Sequence, residues 1–516
     1  MELIAYAVSR RQQAIVLIPE IALTYQTVMR FYRRFGDRVS VINSRLSAGE
    51  RFDQFERAKR GELDVMIGPR SALFTPFPNL GIIVMDEEHE PAYQSEITPR
   101  YHAREVALQR GRMEGAKVVL GSATPSLEAY YGARTGEMRL FTLSRRAGAA
   151  AMPEVLVVDL RKELREGNRS ILSRRLREQM ERRLDLGQQT MLFLNRRGYA
   201  GFVSCRSCGH VILCPHCDVS LSLHKNGRLI CHYCGYEQPA VKTCPSCGSG
   251  FIRSFQAGTQ QVEEEVQRAF PQARILRMDL DTTREKDGHA AILSAFANHE
   301  ADILVGTQMI VKGHDFPDVT LVGVLAADLS LHIPDYRSGE RTFQLLTQAA
   351  GRAGRGRLPG EVIIQTYDPE HYSVQTAARQ DYESFYEQEI EYRSMAGYPP
   401  VGGLLAIHCS CEDAQLLEMA CGYLKRFIEL AAKPEEITAS SQSSDGCAQD
   451  SARRGRVVVL GPADDRIAKI QDIYRKVIYL KHADLHVLTA VKNKIERYVE
   501  INEGFRTITI QFEVNG

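Results

Sequence analysis

Along the first quarter of the chain, short unbroken apolar runs alternate with stretches of helical period. AIVLIPE (14–20), VSVINS (39–44), DVMIGP (64–69), GIIVMDE (81–87) and KVVLGSA (117–123) each run into a polar loop. Runs this short, β-branched and free of polar alternation suit strands buried on both faces. The pattern therefore predicts a parallel sheet with helices on either side. A second set, TMLFLNRRG (190–198), ARILRMD (273–279), ADILVGTQ (301–308), TLVGVLAAD (320–328) and GEVIIQTY (360–367), predicts a second unit of the same kind. From about residue 372 the pattern changes. SVQTAARQDYESFYEQEIEYR reads as helical, while GGLLAIHCSC, VVVLGPAD, YRKVIYLKH and RTITIQFEV read as strands of a small α+β domain. Residues 433–456 are polar, poor in large apolar side chains, and predict a disordered insertion.

The expected organisation is a first α/β lobe over 1–145 and a second beginning over 146–200. A cysteine-rich insertion occupies 201–252, the second lobe resumes over 253–371, and a terminal domain covers 372–516. In parallel sheets ligands bind at the carboxyl ends of the strands, and the polar clusters sit at those ends.

Composition changes this picture little. With 516 residues, 44% hydrophobic and 25% charged, the chain has ample material for several cores. A net charge of +1 announces no nucleic-acid partner, although a basic groove can hide in a neutral protein. No apolar run is long enough for a membrane span, and the start MELIAYAVSRRQQ lacks signal-peptide features, so the expected location is cytoplasmic.

Of twelve cysteines, eight fall in four Cys-x-x-Cys pairs: Cys205/Cys208, Cys214/Cys217, Cys231/Cys234 and Cys244/Cys247. Each pair can offer two thiolates to one tetrahedral zinc, so eight ligands predict two closed four-thiolate sites. An iron–sulfur cluster with spare cysteines is the rival reading. His210, His216 and His232 lie nearby and are read as bystanders.

Asp86 and Glu87 end an apolar strand, the pattern in which an aspartate holds magnesium and a neighbouring carboxylate orients and deprotonates water. A charged strand end that caps a helix would look similar. GSATPS (121–126) ends the next strand, where small hydroxyls can link nucleotide state to a neighbouring lobe, and GTQMIVKGHDFP (306–317) ends one in the second set. QAAGRAGRGR (348–357) places Arg352 and Arg355 at the start of an expected helix, where both guanidiniums can face a phosphoryl group.

Taken in order, LIPEIALT, GPRSALFTPF, DEEHEPAY, GSATPS, GTQMIVKGHDFP and QAAGRAGR, with an eight-cysteine block between the lobes, resemble the PriA family of superfamily 2 replication-restart helicases. The resemblance runs from about residue 1 to the C-terminus. It implies two RecA-like lobes and a 3′-to-5′ ATP-dependent DNA helicase that acts at stalled forks and D-loops and starts primosome assembly. It further implies primosome proteins and single-strand-binding protein as partners, a monomer, and ATP and magnesium as cofactors. By the same resemblance, one zinc takes Cys205, Cys208, Cys244 and Cys247, and the other takes Cys214, Cys217, Cys231 and Cys234.

Asp86 would then hold magnesium and Glu87 would act as base, with Gln348, Arg352 and Arg355 approaching the nucleotide from the second lobe. Residues 90–107 match the family's aromatic-rich loop, in which Tyr93 and Tyr101 can stack on bases while Arg100 and Arg104 attract phosphates. Tyrosines that merely pack the loop are the alternative. Arg70, Ser71, Thr307 and Lys312, in strand-end loops, are expected contacts to the DNA backbone.

One component is not in the sequence. A phosphate cradle needs G-x-x-x-x-G-K-[S/T], and no Gly-Lys dipeptide occurs among the 516 residues. In the family that loop and its strand precede the segment matching MELIAYAVSRRQQ. The expectation is therefore a chain that starts at an internal methionine and hydrolyses little ATP. Its first sheet should have a gap that leaves backbone groups unpaired and the lobe unstable.

Overall fold

The computed structural model describes all residues except 20–24, 144–151, 195–201, 218, 225, 255–257, 280–281, 284–287, 311–315, 357, 433–454 and 516. The chain divides near residue 142 into two compact units.

In the first unit, β1 (Gln13–Leu17), β2 (Val39–Val41), β3 (Val65–Gly68), β4 (Leu80–Met85) and β5 (Lys117–Leu120) form one parallel sheet in the order β2-β3-β1-β4-β5. All five β1 residues are buried because alternate side chains feed two cores. Ile15 and Leu17 join Met66, Ile83 and Met85 on one face, and Ala14 and Val16 join Val65, Ile67 and Ile82 on the other. Helix α1 (Glu2–Ser9) contributes Ile4 and Ala7 to the second core. Helices α2 (Tyr25–Phe35) and α3 (Ala48–Lys59) follow, and α4 (Ala103–Glu114) contributes Ala103 and Ala107 to the first core. Helix α5 (Leu127–Arg134) follows β5.

The expected gap is absent. The five strands are contiguous, and among the described residues the open edges are β2 and β5. A strand fewer leaves a sheet narrower, not perforated, when its slot lies at the edge.

The second unit holds another all-parallel sheet, built from β6 (Glu154–Asp159), β7 (Gln189–Phe193), β8 (Ile275–Met278), β9 (Ile303–Gly306), β10 (Val319–Val324) and β11 (Glu361–Thr366), in the order β8-β9-β7-β10-β11-β6. Strand β6 was not among the sequence expectations. None of its residues is fully buried, which an edge strand permits. Helices α6 (Arg174–Asp185), α7 (Thr259–Ala269), α8 (Gly288–Ala297) and α9 (Ser338–Ala350) accompany the sheet.

The cysteine block leaves the lobe after β7, and its entry and exit strands, Val203–Cys205 and Ile252–Ser254, pair antiparallel to close it. After β11 the expected helical stretch is broken in two, α10 (Tyr372–Arg379) and α11 (Tyr382–Ala396), where Gln380 adopts φ 55°. Strands β12 (Gly403–Cys411), β13 (Val458–Ile470), β14 (Ile473–His482) and β15 (Thr509–Val514) then form an antiparallel sheet in the order β13-β14-β12-β15. Helices α12 (Ala414–Ala431) and α13 (Leu485–Ile501) share one core with that sheet. Of the expected disordered stretch, 433–454 lies outside the described residues.

Candidate nucleotide and zinc sites

Asp86 and Glu87 follow directly on β4, so the buried apolar strand fixes where the two carboxylates emerge. Asp86 donates its backbone N–H to Leu17 O at 2.9 Å, and its carboxylate accepts from the Glu87 amide at 3.1 Å. Desolvation by the surrounding protein pushes the Asp86 carboxyl up from its ordinary value, with the Glu87 amide pulling the other way. Glu87 sits in the left-handed region at φ 47°, which costs a non-glycine residue about 1 kcal/mol or more. It is held there from both sides. Glu88 N–H donates to Gly121 O, and Glu90 N–H returns to Glu87 O.

Two residues that the sequence reading passed over tie this strand end to the next. His89 Nδ1 lies 2.7 Å from Ser122 Oγ and 3.7 Å from Glu87 Oε2. Glu88, 1% exposed, accepts from Ser126 N at 2.6 Å and from Ser126 Oγ at 3.0 Å. The hydroxyls of GSATPS thus serve the DEEH segment within their own lobe. Their signal in the sequence was the pairing of two polar strand ends, β4 and β5, that lie side by side.

Three of the residues expected to face DNA are engaged internally. Tyr93 is 1% exposed, and its hydroxyl donates to Asp86 O at 2.7 Å. Arg104 is 7% exposed, with Nη1 at 2.6 Å from Ser126 Oγ and 3.4 Å from Glu88 Oε2. Arg70 donates to Ala92 O at 3.2 Å and also to Gln94 O, so it braces the 90–101 loop. These placements correct the expectation of base stacking by Tyr93 and phosphate contact by Arg104, because neither group reaches the surface. Tyr101 stays half-buried, its ring edge-on to Phe74 at 5.6 Å, and Arg100 is also half-buried. Ser71 and Thr307 lie at strand ends as expected, and Lys312 falls outside the described residues.

Tyr93→Phe should remove the bond to Asp86 O while keeping the ring packing, at a cost of about 1 kcal/mol. Hydrogen exchange at residues 86–90 should accelerate, with the α3 amides unchanged. Exchange confined to normal rates would show that the hydroxyl does not hold the strand end.

In the second unit, Gln348 lies in the last turn of α9, whereas Arg352 and Arg355 come after it. They do not begin a helix, as the sequence reading expected. Gly351 caps α9 and Gly354 turns at φ 68°, with the Gly360 amide so close that a Cβ at residue 354 would meet it at 2.4 Å. The chain therefore leaves the helix in a tight turn, within which Arg355 Nε donates to Gly351 O at 2.7 Å.

The eight cysteines assemble as two groups, Cys205, Cys208, Cys244 and Cys247, and Cys214, Cys217, Cys231 and Cys234, with the ligand atoms of each within 4.8 Å of one another. Sulfur separations are 3.6 Å for Cys205–Cys247, 3.7 Å for Cys208–Cys244 and 3.6 Å for Cys214–Cys234. Four thiolates about 2.3 Å from a tetrahedral zinc stand about 3.8 Å apart, so both sets fit that ion. A cluster of several irons would spread them further.

Local sequence sets this geometry. In three knuckles a glycine follows the second cysteine, and Gly209, Gly235 and Gly248 take positive φ to let their amides return to the carbonyls of Cys205, Cys231 and Cys244. His210, His216 and His232 belong to neither group.

Comparison with known proteins agrees with this geometry. The family model for the "PriA DNA helicase Cys-rich region (CRR) domain" matches residues 214–239, that for the DEAD/DEAH box helicase matches 2–131, and that for the helicase conserved C-terminal domain matches 252–357. The replication restart protein PriA of Borreliella burgdorferi is 32% identical over 100% of this chain and 74% of its own length. The chain belongs to the PriA family. The PriA of Bacillus subtilis is 46% identical over the whole chain, and that of a Synechocystis species 44% identical over 91% of it. The chain spans only 62% and 55% of those two PriA proteins.

Proposed function

We propose that this chain is the motor and zinc-binding part of an ATP-dependent 3′-to-5′ DNA helicase that acts in replication restart. The supporting observation is the strand end at Asp86 and Glu87, joined through His89 to Ser122 on the next strand. The Glu87 carboxylate lies 3.7 Å from the imidazole nitrogen that is hydrogen-bonded to the neighbouring strand end.

In this reading Asp86 would hold magnesium, which when bound would supply charge neutralisation for the phosphates. Glu87, whose side chain is 40% exposed, takes the proton of the attacking water on a carboxylate oxygen. Gln348, Arg352 and Arg355 of the second unit are the further residues assigned to the nucleotide in this reading. Ser71, Arg100, Tyr101, Thr307 and Lys312 are the proposed contacts to DNA, with Tyr93, Arg70 and Arg104 supporting the 90–101 loop from inside. Primosome proteins and single-strand-binding protein are the proposed partners, in the cytoplasm, with the chain as a monomer. No described helix is long and apolar enough to cross a membrane.

The residues fit magnesium, but the phosphate cradle is not encoded in this sequence, which has no Gly-Lys dipeptide. ATP turnover by this chain alone should stay near background with or without single-stranded DNA, and Glu87→Gln should not lower it further. Turnover that rises with DNA and vanishes in Glu87→Gln would show that another segment supplies the cradle. The missing cradle also favours a second reading, a non-catalytic zinc protein that binds DNA or primosome proteins. Tight DNA binding by a folded, zinc-loaded sample without turnover would select it.

A further inference from the structure

Arg393 is the largest fully buried side chain among the described residues, and no nucleotide, DNA or zinc motif accounts for it. From α11 its Nη2 reaches Glu340 Oε2 on α9 at 3.0 Å, its Nε reaches Glu389 Oε1 at 2.8 Å, and its Nη1 donates to Pro399 O at 2.8 Å. The guanidinium also lies 4.7 Å from the Tyr336 ring centroid.

Glu340 begins a row. Residues four apart stand one above the other on a helix, so Glu340, Gln344 and Gln348 share a stripe of α9. Glu340 is 4% exposed and Gln344 7%, and Gln344 Nε2 lies 3.5 Å from Glu340 Oε1. The first turn of α9 is pressed close against its neighbours. A Cβ at Gly339 would meet Glu389 Oε2 at 2.7 Å and Tyr372 Oη at 2.9 Å.

We propose that the buried row Arg393–Glu340–Gln344 positions Gln348 and the arginine turn that follows it, making Arg393 a positioning residue supplied by the C-terminal region to the second-lobe nucleotide motif. This rests on the assignment of Gln348, Arg352 and Arg355 to the nucleotide. The physical case is one of specificity. Burying an arginine between two carboxylates contributes little net stability, and apolar packing would join α9 to α11 as firmly. Apolar side chains would not fix the rotation of α9 about its axis, whereas a forked guanidinium with three oriented acceptors does. Because Gln348 sits two turns along the same stripe, that rotation sets where its amide points.

The test is hydrogen exchange on the zinc-loaded chain. Glu340→Gln keeps the volume and leaves Arg393 paired with Glu389. Amides of 348–356 should exchange about tenfold faster, with those of β11 and the zinc content unchanged. Unchanged exchange at 348–356, or an acceleration shared by β11, overturns the proposal. A triple variant, Glu340→Met, Glu389→Met and Arg393→Met, guards against simple unfolding. It should recover the denaturation midpoint without recovering protection at 348–356, and recovered protection also overturns the proposal. Photolabelling of the unmodified chain by azido-ATP with magnesium reads the nucleotide assignment separately. Label at 348–355 is expected, and label confined to other residues refutes that assignment whatever the exchange shows.

Discussion

Cys231→Ser is expected to release one of two zinc ions per chain and to loosen the second unit far beyond the knuckle itself. Cys214, Cys217 and Cys231 are buried in one cluster with Tyr233, Tyr336, Tyr398 and Leu404. Tyr233, between two ligands of that ion, stacks on Tyr479 at 4.7 Å and meets Tyr398 edge-on at 6.4 Å. Tyr398 in turn stacks on Tyr336 at 4.7 Å with the planes 4° apart. An ion held by Cys214, Cys217, Cys231 and Cys234, here called the inner site, would therefore fix an aromatic column that runs from the cysteine block to β14 and the segment before α9.

Structural zinc contributes on the order of 10 kcal/mol to folding of a small domain, and an oxygen ligand in place of a thiolate forfeits much of it. Zinc content by atomic emission should fall by half, and proteolysis should open 202–254. Cys247→Ser in the outer site, that of Cys205, Cys208, Cys244 and Cys247, should also lose one ion, yet leave that column intact, because Tyr233, the stacked residue that lies between two ligands, belongs to the other site. Equal proteolysis of the two variants would mean that the column stands without the inner ion.

How much of this was legible beforehand follows from what each feature demands of its residues. Buried parallel strands need uninterrupted β-branched runs, and each of the ten runs first singled out became a strand. Strand β6, at an edge, is only half-buried and needs no fully apolar run, so EVLVVD made a weaker signal. The knuckles were readable because Cys-x-x-Cys followed by glycine constrains both ligand and backbone. Their nested pairing was not readable from spacing, since identical pairs can be combined in several ways; the family resemblance implied it and the contacts in three dimensions agree.

The aromatic loop shows the limit most clearly. A tyrosine that stacks on a base and one that fills a core have the same composition, and Tyr93 differs from Tyr101 only in what lies beneath it. Arg104 misled for a related reason. An arginine seeks oriented oxygens, and whether these are phosphates or buried carboxylates is set by packing. The arginine turn erred on a local rule: glycines at 351, 354 and 356 end a helix more readily than they begin one.

Arg104 also makes the second large prediction. Desolvation penalises its charged form, but Glu128, Glu88 and Glu105 surround it and hold its pKa above the usual value. Glu88 is the deepest of these, and burial raises its own pKa against the pull of Arg104 and Ser126. Glu88→Ala would remove the carboxylate from beside a buried guanidinium and leave the Ser126 amide, in the first turn before α5, without its acceptor. Breaking such a pair on one side costs about 3–5 kcal/mol, a large share of a domain's total stability. Glu88→Gln retains an acceptor for Ser126 and should cost less than half as much.

If the cost is the stranded charge, then Glu88→Ala combined with Arg104→Met should be more stable than Glu88→Ala alone. A cavity effect would instead make the double variant worse. Urea unfolding followed by circular dichroism, with hydrogen exchange of β4 and β5 to assign the transition to the first unit, separates the two. Recovery in the double variant would also locate the function of this pair. It joins the strand end bearing Asp86 to the helix that follows GSATPS, so a stable lobe without it should still fold but should hold that helix less firmly, with the His89–Ser122 link between the two strand ends left in place.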